Sequence, residues 1–171
     1  MGIRQVGGVT IQARHRLECH CGCVVPELEL PQGIVNPRRC DCSICRRKGA
    51  ILASVSLDGI RIVQGGEYLQ FYQFNTGVAK PYFCSICGIY THHQRRSDPT
   101  LFGINVACLA GVSPFDFAEV PVMVADGWPK NEAVLDGAKA VLLFLDGGNK
   151  LSFLEPTRWA KMQSLADAGT G

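Results

Sequence analysis

The sequence has no long apolar run. Its longest strongly apolar stretch, residues 140–145, is far shorter than the roughly 18 residues that a membrane-spanning helix needs. The first fifteen residues include charged and glycine positions where a signal peptide needs an unbroken apolar segment, and Val6 stands where a myristoylation signal needs serine or threonine. We therefore expect a soluble, cytoplasmic protein that is not attached to a membrane.

An excess of charge of one sign is also missing. The sequence has 17 lysines and arginines against 15 aspartates and glutamates, for a net charge of +2. Nucleic-acid-binding domains usually carry a basic face and a pI above about 9, so we do not expect nucleic acid as a partner. There is no internal repeat, and 171 residues suffice for one sizeable hydrophobic core. We expect a single domain over residues 1–171.

The apolar patterning is mostly that of strands. Alternating, β-branched or apolar segments predict antiparallel strands at residues 9–13, 51–57, 60–63, 67–74 and 101–109, with further strands at 121–124 and 140–145. Helical signals are confined to a turn at 46–50 and a segment at 157–166, which Thr157 can cap. The sequence predicts a mainly β fold of antiparallel sheets with short helical additions.

Cysteine is abundant, with nine residues. A disulfide framework requires an oxidising compartment, and neither the odd number nor the C-x-C spacing suits paired bridges. Seven of the cysteines form three tight clusters: Cys19 and Cys21; Cys40, Cys42 and Cys45; Cys84 and Cys87. Metal ligation explains this pattern best. Seven thiols are one too few for two four-sulfur zinc sites, so the count predicts one closed site and one open site.

The closed site is predicted from the first and last clusters. Cys84 and Cys87 are separated by two residues and followed by Gly88, which allows the backbone to turn past a metal. A single such turn supplies only two ligands. The pair Cys19 and Cys21, also followed by glycine, is the best candidate for the other two. Zinc held by these four sulfurs would have no free coordination position and would stabilise the fold.

The middle cluster has a different character. Three sulfurs within six residues can bind one ion from a single loop and leave the fourth tetrahedral position for water or substrate. The alternative is a second structural site, completed by one of four further residues: His20, Cys23, His92 or His93. Cys108 lies in an apolar run and is expected to be a buried thiol rather than a ligand.

Basic residues surround the middle cluster. They are Arg38, Arg39, Arg46, Arg47 and Lys48. Positive charge there would favour thiolates and attract an anionic substrate. A solvated basic loop is the alternative interpretation, and the sequence does not decide between the two.

Taken together in this order, the cysteine clusters resemble those of the glutathione-dependent formaldehyde-activating enzyme family, which includes the centromere protein V type of domain. The similar stretches are residues 18–22, 40–46 with Gly49 and Ala50, 83–88 and 105–109. The resemblance covers about residues 9–128 and leaves 129–171 as a C-terminal extension. It implies twisted antiparallel sheets of the Mss4-like type around a four-cysteine zinc site.

The resemblance also implies two zinc ions per chain. One would be structural, on Cys19, Cys21, Cys84 and Cys87; the other would be catalytic, on Cys40, Cys42 and Cys45. The implied reaction adds the thiol of glutathione to formaldehyde or a related aldehyde, which makes the protein a carbon–sulfur lyase or synthase. The zinc could hold the thiolate or polarise the aldehyde oxygen, and both alternatives stay open.

The developing alkoxide needs a proton donor. Three residues have a suitable side chain: Asp41, His92 and His93. The two histidines follow a strand-like segment, so alternation predicts that their rings point to opposite faces. Cys23 departs from the family pattern, since it adds a third thiol to the first cluster. A non-catalytic zinc-stabilised module whose basic loop binds an acidic partner is the alternative function.

Overall fold

The structure is a computed structural model. It describes residues 2–74, 76–117, 119–123, 143–146 and 150–153. The helix predicted at 157–166 lies outside these residues, as does part of the strand predicted at 140–145. None of the helices in the described part of the chain has the length and hydropathy needed to cross a bilayer.

The described residues form fourteen strands and one short α-helix. The strands are β1 (Gln5–Val6), β2 (Val9–Thr10), β3 (Arg14–Arg16), β4 (Val25–Glu29), β5 (Val35–Cys40), β6 (Leu52–Ser56), β7 (Ile60–Gln64), β8 (Leu69–Phe71), β9 (Lys80–Cys84), β10 (Tyr90–Gln94), β11 (Leu101–Asn105), β12 (Val122–Met123), β13 (Leu143–Asp146) and β14 (Lys150–Phe153). The helix α1 spans Cys45–Lys48, and 3-10 turns occupy Leu57–Gly59, Gly66–Tyr68, Val106–Cys108 and Pro114–Asp116. The prediction of a mainly β fold with short helical additions is confirmed.

One nine-stranded sheet dominates the architecture. Its order is β12-β5-β6-β11-β10-β9-β8-β13-β14, and every neighbouring pair is antiparallel except β12 with β5. A three-stranded sheet, β3-β4-β7, and the hairpin β1-β2 complete the described strands. The strands β5, β6, β11 and β10 are adjacent, so residues far apart in sequence lie in one row across the sheet.

The main core joins the two larger sheets. Leu28 of β4, Val55 of β6 and Ile104 of β11 belong to one cluster of buried side chains, and Leu17 and Ile34 are fully buried within it. A second, smaller cluster combines Cys19, Val24, Leu69 and Cys84. Burial of these apolar side chains stabilises the sheets against each other by roughly 1.5–3 kcal/mol for each large residue.

Several predicted strands correspond closely to observed ones, and other observed strands are shorter than predicted. The segments at 51–57 and 60–63 become β6 and β7. Residues 67–74 and 101–109 each contain a 3-10 turn beside the strand, and 9–13 contributes only the two residues of β2. The helical turn predicted at 46–50 is α1, which ends at Gly49 in the left-handed conformation, with φ of 64°.

Sequence reasoning missed β4 and β5 because each contains a proline. Pro26 lies in β4, where the register with β7 shifts between Val25 and Pro26. Pro37 lies in β5, where the register with β6 shifts between Val35 and Arg38. Proline has no N–H to donate to a neighbouring strand, and bulges are among the few places in a sheet where this is tolerated.

Candidate functional site

The first and last cysteine clusters meet in space. The sulfurs of Cys19, Cys21, Cys84 and Cys87 all lie within 4.8 Å of one another. Cys21 Sγ is 3.5 Å from Cys19 Sγ and 3.7 Å from Cys84 Sγ. Four sulfurs at about 2.3 Å from a tetrahedral zinc would be separated by about 3.8 Å. The chemistry and spacing of this group therefore fit a four-thiolate metal site.

Two similar turns present these sulfurs. Gly22 N–H donates to Cys19 O at 3.0 Å, and Gly88 N–H donates to Cys84 O at 2.8 Å. Both glycines are left-handed, with φ of 71° at Gly22 and 72° at Gly88. A side chain would strain this conformation. The structure therefore confirms that the glycine after each cysteine pair allows the backbone to turn.

Backbone N–H groups also point at the sulfurs. Val24 N–H donates to Cys19 Sγ at 3.3 Å. Burial raises the pKa of Cys84 to about 12. Burial also acts to raise the pKa of Cys87, but hydrogen bonds from the backbone of Ile89 and Cys21 outweigh it and lower that pKa to about 6. Such N–H groups favour the thiolate form in which cysteine binds metal.

The two remaining cysteines are not in either group. Cys23 follows the first turn but is not among the four clustered sulfurs. Cys108 is buried, accepts a hydrogen bond from Asn105 Nδ2 at 3.4 Å and donates to Tyr90 O at 3.5 Å. The prediction that Cys108 is a buried thiol is confirmed.

The middle cluster forms a second group. Cys40 is the last residue of β5, Cys45 is the first residue of α1, and the sulfurs of Cys40, Cys42 and Cys45 all lie within 4.8 Å of one another. The three residues are half-buried. Among the described residues, no fourth His, Cys, Asp or Glu joins them. The group therefore offers a metal three protein ligands and leaves one tetrahedral position without a described protein ligand.

Main-chain contacts hold this loop in place. Arg46 N–H donates to Cys42 O at 3.1 Å, and Gly49 N–H donates to Cys45 O at 2.9 Å. Asp41 N–H donates to Met123 O of the parallel strand β12 at 3.2 Å. The turn of helix, its glycine cap and β12 together fix where the three sulfurs point.

The three sulfurs share a proton network. Hydrogen bonds from Cys40 and Cys45 lower the pKa of Cys42 to about 2, so Cys42 carries the negative charge. Hydrogen bonding to Cys40 and Cys42 raises the pKa of Cys45. A thiolate stabilised by two neighbouring thiols is suited to capture a soft cation.

The five basic residues around the middle cluster divide into two sets. Arg39, Arg46 and Arg47 are exposed, which agrees with the solvated interpretation. Arg38 is buried, with 3% of its surface exposed, and burial, followed by repulsion from Arg95, lowers its pKa. Lys48 is half-buried, and its Nζ lies 3.7 Å from the centre of the Tyr90 ring. Arg38 and Lys48 therefore belong to the inner surface of the site.

His92 and His93 are directed to different surroundings, as the alternation of the strand predicted. The ring of His92 stacks on Tyr82, with centroids 4.6 Å apart, and meets Phe102 edge-on. Its Nδ1 lies 2.9 Å from Thr91 Oγ1. Burial lowers the pKa of His92 to about 3. His92 is a neutral residue within an aromatic cluster.

His93 lies across the neighbouring strand. It pairs with Gly103 of β11, which in turn pairs with Ser54 of β6. A Cβ on Gly103 would be 2.8 Å from His93 Nδ1 and 3.0 Å from Nε2, so the ring occupies the space of the missing side chain. The Tyr90 hydroxyl is hydrogen-bonded to Nδ1. Burial, followed by the charges of Lys48 and the nearby arginines, lowers the pKa of His93 to about 4.

Sequence reasoning missed three residues of this surface. Ser54, Tyr90 and Arg95 belong to no motif and are separated in sequence from the cysteines. They reach the site because β6 lies beside β5 in the sheet and only β11 separates β6 from β10. The available signal was the alternation of β10, which, continued one residue past the end of the strand, places Arg95 on the same side as His93.

Comparison with known proteins agrees with this arrangement. The sequence model of a family described as glutathione-dependent formaldehyde-activating enzyme matches residues 14–120. A crystal structure of a Rhodobacter sphaeroides protein is similar, with 56% sequence identity and a TM-score of 0.61. That similarity covers 63% of this chain and 99% of the other. The matched residues include both groups of clustered cysteines.

Proposed function

Because the chain belongs to the glutathione-dependent formaldehyde-activating enzyme family, we propose that it is a zinc-dependent carbon–sulfur lyase or synthase. It would add a small thiol such as glutathione to formaldehyde or a related aldehyde. The thiol and aldehyde substrates follow from the family name. Residues 1–171 would form a single zinc-binding domain, with the family-like core at about 9–128 and an extension at 129–171.

The four-sulfur group supports a structural role. Cys19 and Cys84 are buried, and the four sulfurs leave no position for a substrate on a tetrahedral ion. Zinc there would join the turn after β3 to the turn after β9, and structural zinc sites contribute apparent binding free energies of about 10–16 kcal/mol to folding.

The three-sulfur group supports the catalytic role, and it is the observation on which the proposal depends. Cys40, Cys42 and Cys45 would hold a second zinc with one coordination position open to the substrate. Bound there, zinc would supply a Lewis acid that keeps a substrate thiol deprotonated near pH 7 or polarises an aldehyde oxygen. The choice between these two alternatives stays open.

The addition conserves atoms and electrons. A sulfur–carbon bond forms, the carbonyl π bond breaks, the thiol proton leaves sulfur and a proton reaches the former carbonyl oxygen. The protein must therefore move one proton and needs no oxidant or reductant. A group that donates a hydrogen bond to the developing alkoxide lowers the barrier.

His93 is the best candidate for that donor. With its pKa lowered to about 4, its ring is neutral near pH 7. Burial raises the pKa of Tyr90 far above its usual value, so its hydroxyl stays protonated and can donate a hydrogen bond to His93 Nδ1. Nδ1 then accepts, and the ring proton is on Nε2; because the backbone of Gly103 also hydrogen-bonds to this ring, an oxyanion would have to replace that contact to receive the bond. Asp41 is exposed and His92 lies within the aromatic cluster, so both are weaker candidates.

Exchange of isotopically labelled formaldehyde with glutathione, followed by NMR, tests the proposal. Zinc-loaded protein should accelerate exchange between the free aldehyde and its glutathione adduct above the uncatalysed rate. Cys42→Ser, loaded under the same conditions, is the matched control and should show no acceleration. If wild-type protein with both metals bound does not exceed the background rate, the alternative of a zinc-stabilised module gains support. Its exposed Arg39, Arg46 and Arg47 would then bind an acidic partner.

A further inference from the structure

Two arginines converge on one hydroxyl beside the three-cysteine group. Arg38 Nη1 donates to Ser54 Oγ at 3.0 Å, and Arg95 Nη1 donates to the same oxygen at 3.3 Å. Arg38 also donates to Asn36 O at 2.8 Å, and Arg95 Nη2 donates to Ser97 Oγ at 3.3 Å. Two cations therefore share a single neutral acceptor, and their repulsion is relieved when an anion binds between them.

Neither guanidinium forms an ion pair among the described residues; Asp98, whose pKa is lowered by hydrogen bonds from Thr100 and then by the charge of Arg95, is not within ion-pair distance of it. The ion pairs of the described residues join Arg14, Arg16 and Arg61 to glutamates and do not involve Arg38, Lys48 or Arg95. A cation with only 3% of its surface exposed, such as Arg38, is costly unless it is paired. An anionic ligand would provide the missing partner.

The hydrogen bonds that Arg38 makes to the described residues leave some of its donors unused. A guanidinium has five N–H donors, and the hydrogen bonds of Arg38 to the protein use only Nη1. Among the described residues, no buried side-chain nitrogen or oxygen lacks a partner. Nε and Nη2 of Arg38 are therefore not sealed off without a partner, and they are the donors with which arginine can form two parallel bonds to a carboxylate.

The arginine pair lies close to the cysteines. Arg38 and Cys40 are two residues apart on β5, so they share a face of the strand at a Cα separation of about 7 Å. A peptide of three residues spans at most about 11 Å. A thiol and a carboxylate of one small molecule can therefore reach the cysteine group and the arginine pair together.

We propose that Arg38 and Arg95, with Ser54 between them, bind a carboxylate of the thiol substrate. The site selects thiols that carry an acid group over neutral thiols of the same size. This inference rests on the proposed function for the identity of the substrate. It adds the arginine pair as the group that orients the substrate through its carboxylate.

The test measures binding without chemistry. S-Methylglutathione keeps both carboxylates of glutathione but has no free thiol, so its affinity for the zinc-loaded protein reports on the carboxylate site. Arg95→Gln should weaken its binding by about tenfold or more, because a hydrogen bond to a charged group contributes about 1.5–3 kcal/mol. The diester of the same compound should bind weakly to wild type and should be insensitive to Arg95→Gln.

Arg96→Gln removes the same charge from the next residue, which is exposed, and should leave the affinity within about twofold. Arg38→Lys keeps the charge but loses the planar fork, and its melting temperature shows whether the buried position tolerates the change. A folded Arg38→Lys protein should also bind S-methylglutathione more weakly than wild type.

Equal affinity of Arg95→Gln and wild type for S-methylglutathione would overturn the inference, even if the labelled-formaldehyde exchange is fast. Binding of inorganic phosphate as tight as that of S-methylglutathione, with the same dependence on Arg95, would also overturn it, because the pair would then be a general anion site. Carboxylate-dependent binding without accelerated exchange would support the arginine site and contradict the proposed reaction.

Discussion

The imidazole of His93 lies directly on Gly103 of the neighbouring strand, where a Cβ would be 2.8 Å from Nδ1. The pairing of β10 with β11 sets these two residues opposite each other. The absence of a side chain at position 103 is therefore what leaves room for the edge of the ring that contains Cε1, with the Tyr90 hydroxyl on Nδ1.

Gly103→Ala should displace the His93 ring and destabilise the protein by about 1–3 kcal/mol, the usual cost of overpacking a buried site. The double variant Gly103→Ala with His93→Ala should recover part of that loss, because the clash disappears with the ring. Denaturant unfolding of the wild type, the two single variants and the double variant measures this coupling. Additive changes in unfolding free energy would mean that the ring and the glycine do not interact.

Cys42→Ser and Cys84→Ser should behave differently. Cys42→Ser should lose formaldehyde exchange with little change in melting temperature. Cys84→Ser should lower the melting temperature strongly, because it leaves the structural ion with three sulfurs within the core. Calorimetry and elemental analysis of zinc measure both effects, with two ions per chain expected for wild type.

Cys23→Ser is the matched control for the cysteine variants, since Cys23 adjoins the four-sulfur group without belonging to it. It should keep both ions and the wild-type melting temperature. Similar melting of Cys42→Ser and Cys84→Ser would contradict the assignment of separate catalytic and structural sites.

Stability should fall as the pH drops below about 6.5, in part because of His92. Its pKa is lowered from 6.5 to about 3 in the folded protein, so the unfolded chain binds the proton first. The contribution of His92 is fully present above pH 6.5 and is lost progressively down to about pH 3, at no more than about 1.4 kcal/mol per pH unit.

His92→Phe should reduce this dependence while keeping an aromatic ring that stacks on Tyr82 and meets Phe102 edge-on. The unfolding free energies of wild type and variant are measured at pH 7 and pH 5. Acid weakens metal binding in both proteins alike, so this effect cancels when the change in the variant is subtracted from the change in wild type. A variant with the same loss of stability between these two pH values as wild type would show that His92 does not titrate with unfolding.

Gly65→Ala should be more destabilising than Gly8→Ala. Both glycines are left-handed, with φ of 73° and 83°, so both substitutions carry the strain of about 1–2 kcal/mol for a side chain in that conformation. A Cβ on Gly65 would also overlap the carbonyl group of Cys23, whereas a Cβ on Gly8 meets nothing within 4 Å. Equal melting temperatures of the two variants would contradict this close packing beside the metal turn.

Sequence spacing predicted the cysteine groups well because metal ligands in short turns are a local property. Two residues between Cys84 and Cys87, followed by glycine, are enough to specify a turn that presents two sulfurs. The strand alternation that separates His92 from His93 is local in the same way. These features needed no knowledge of the sheet order.

The arginine site could not be predicted from spacing. Arg38, Ser54 and Arg95 come together only because β5 pairs with β6 and because Arg95, just beyond β10, reaches across β11 to β6. Strand order depends on contacts between distant segments, which a single sequence does not reveal. Pro37 also hid β5, which carries Arg38, since a residue without an N–H usually argues against a strand.

The four-sulfur site also constrains how the protein is made. Cys21 and Cys84 are 63 residues apart, and ribosomes add about 5–20 residues per second. The second pair of cysteines is therefore synthesised roughly 3–13 s after the first pair. Through that interval the first pair offers a metal only two of its four ligands, and thiols that are not bound to metal are open to oxidation.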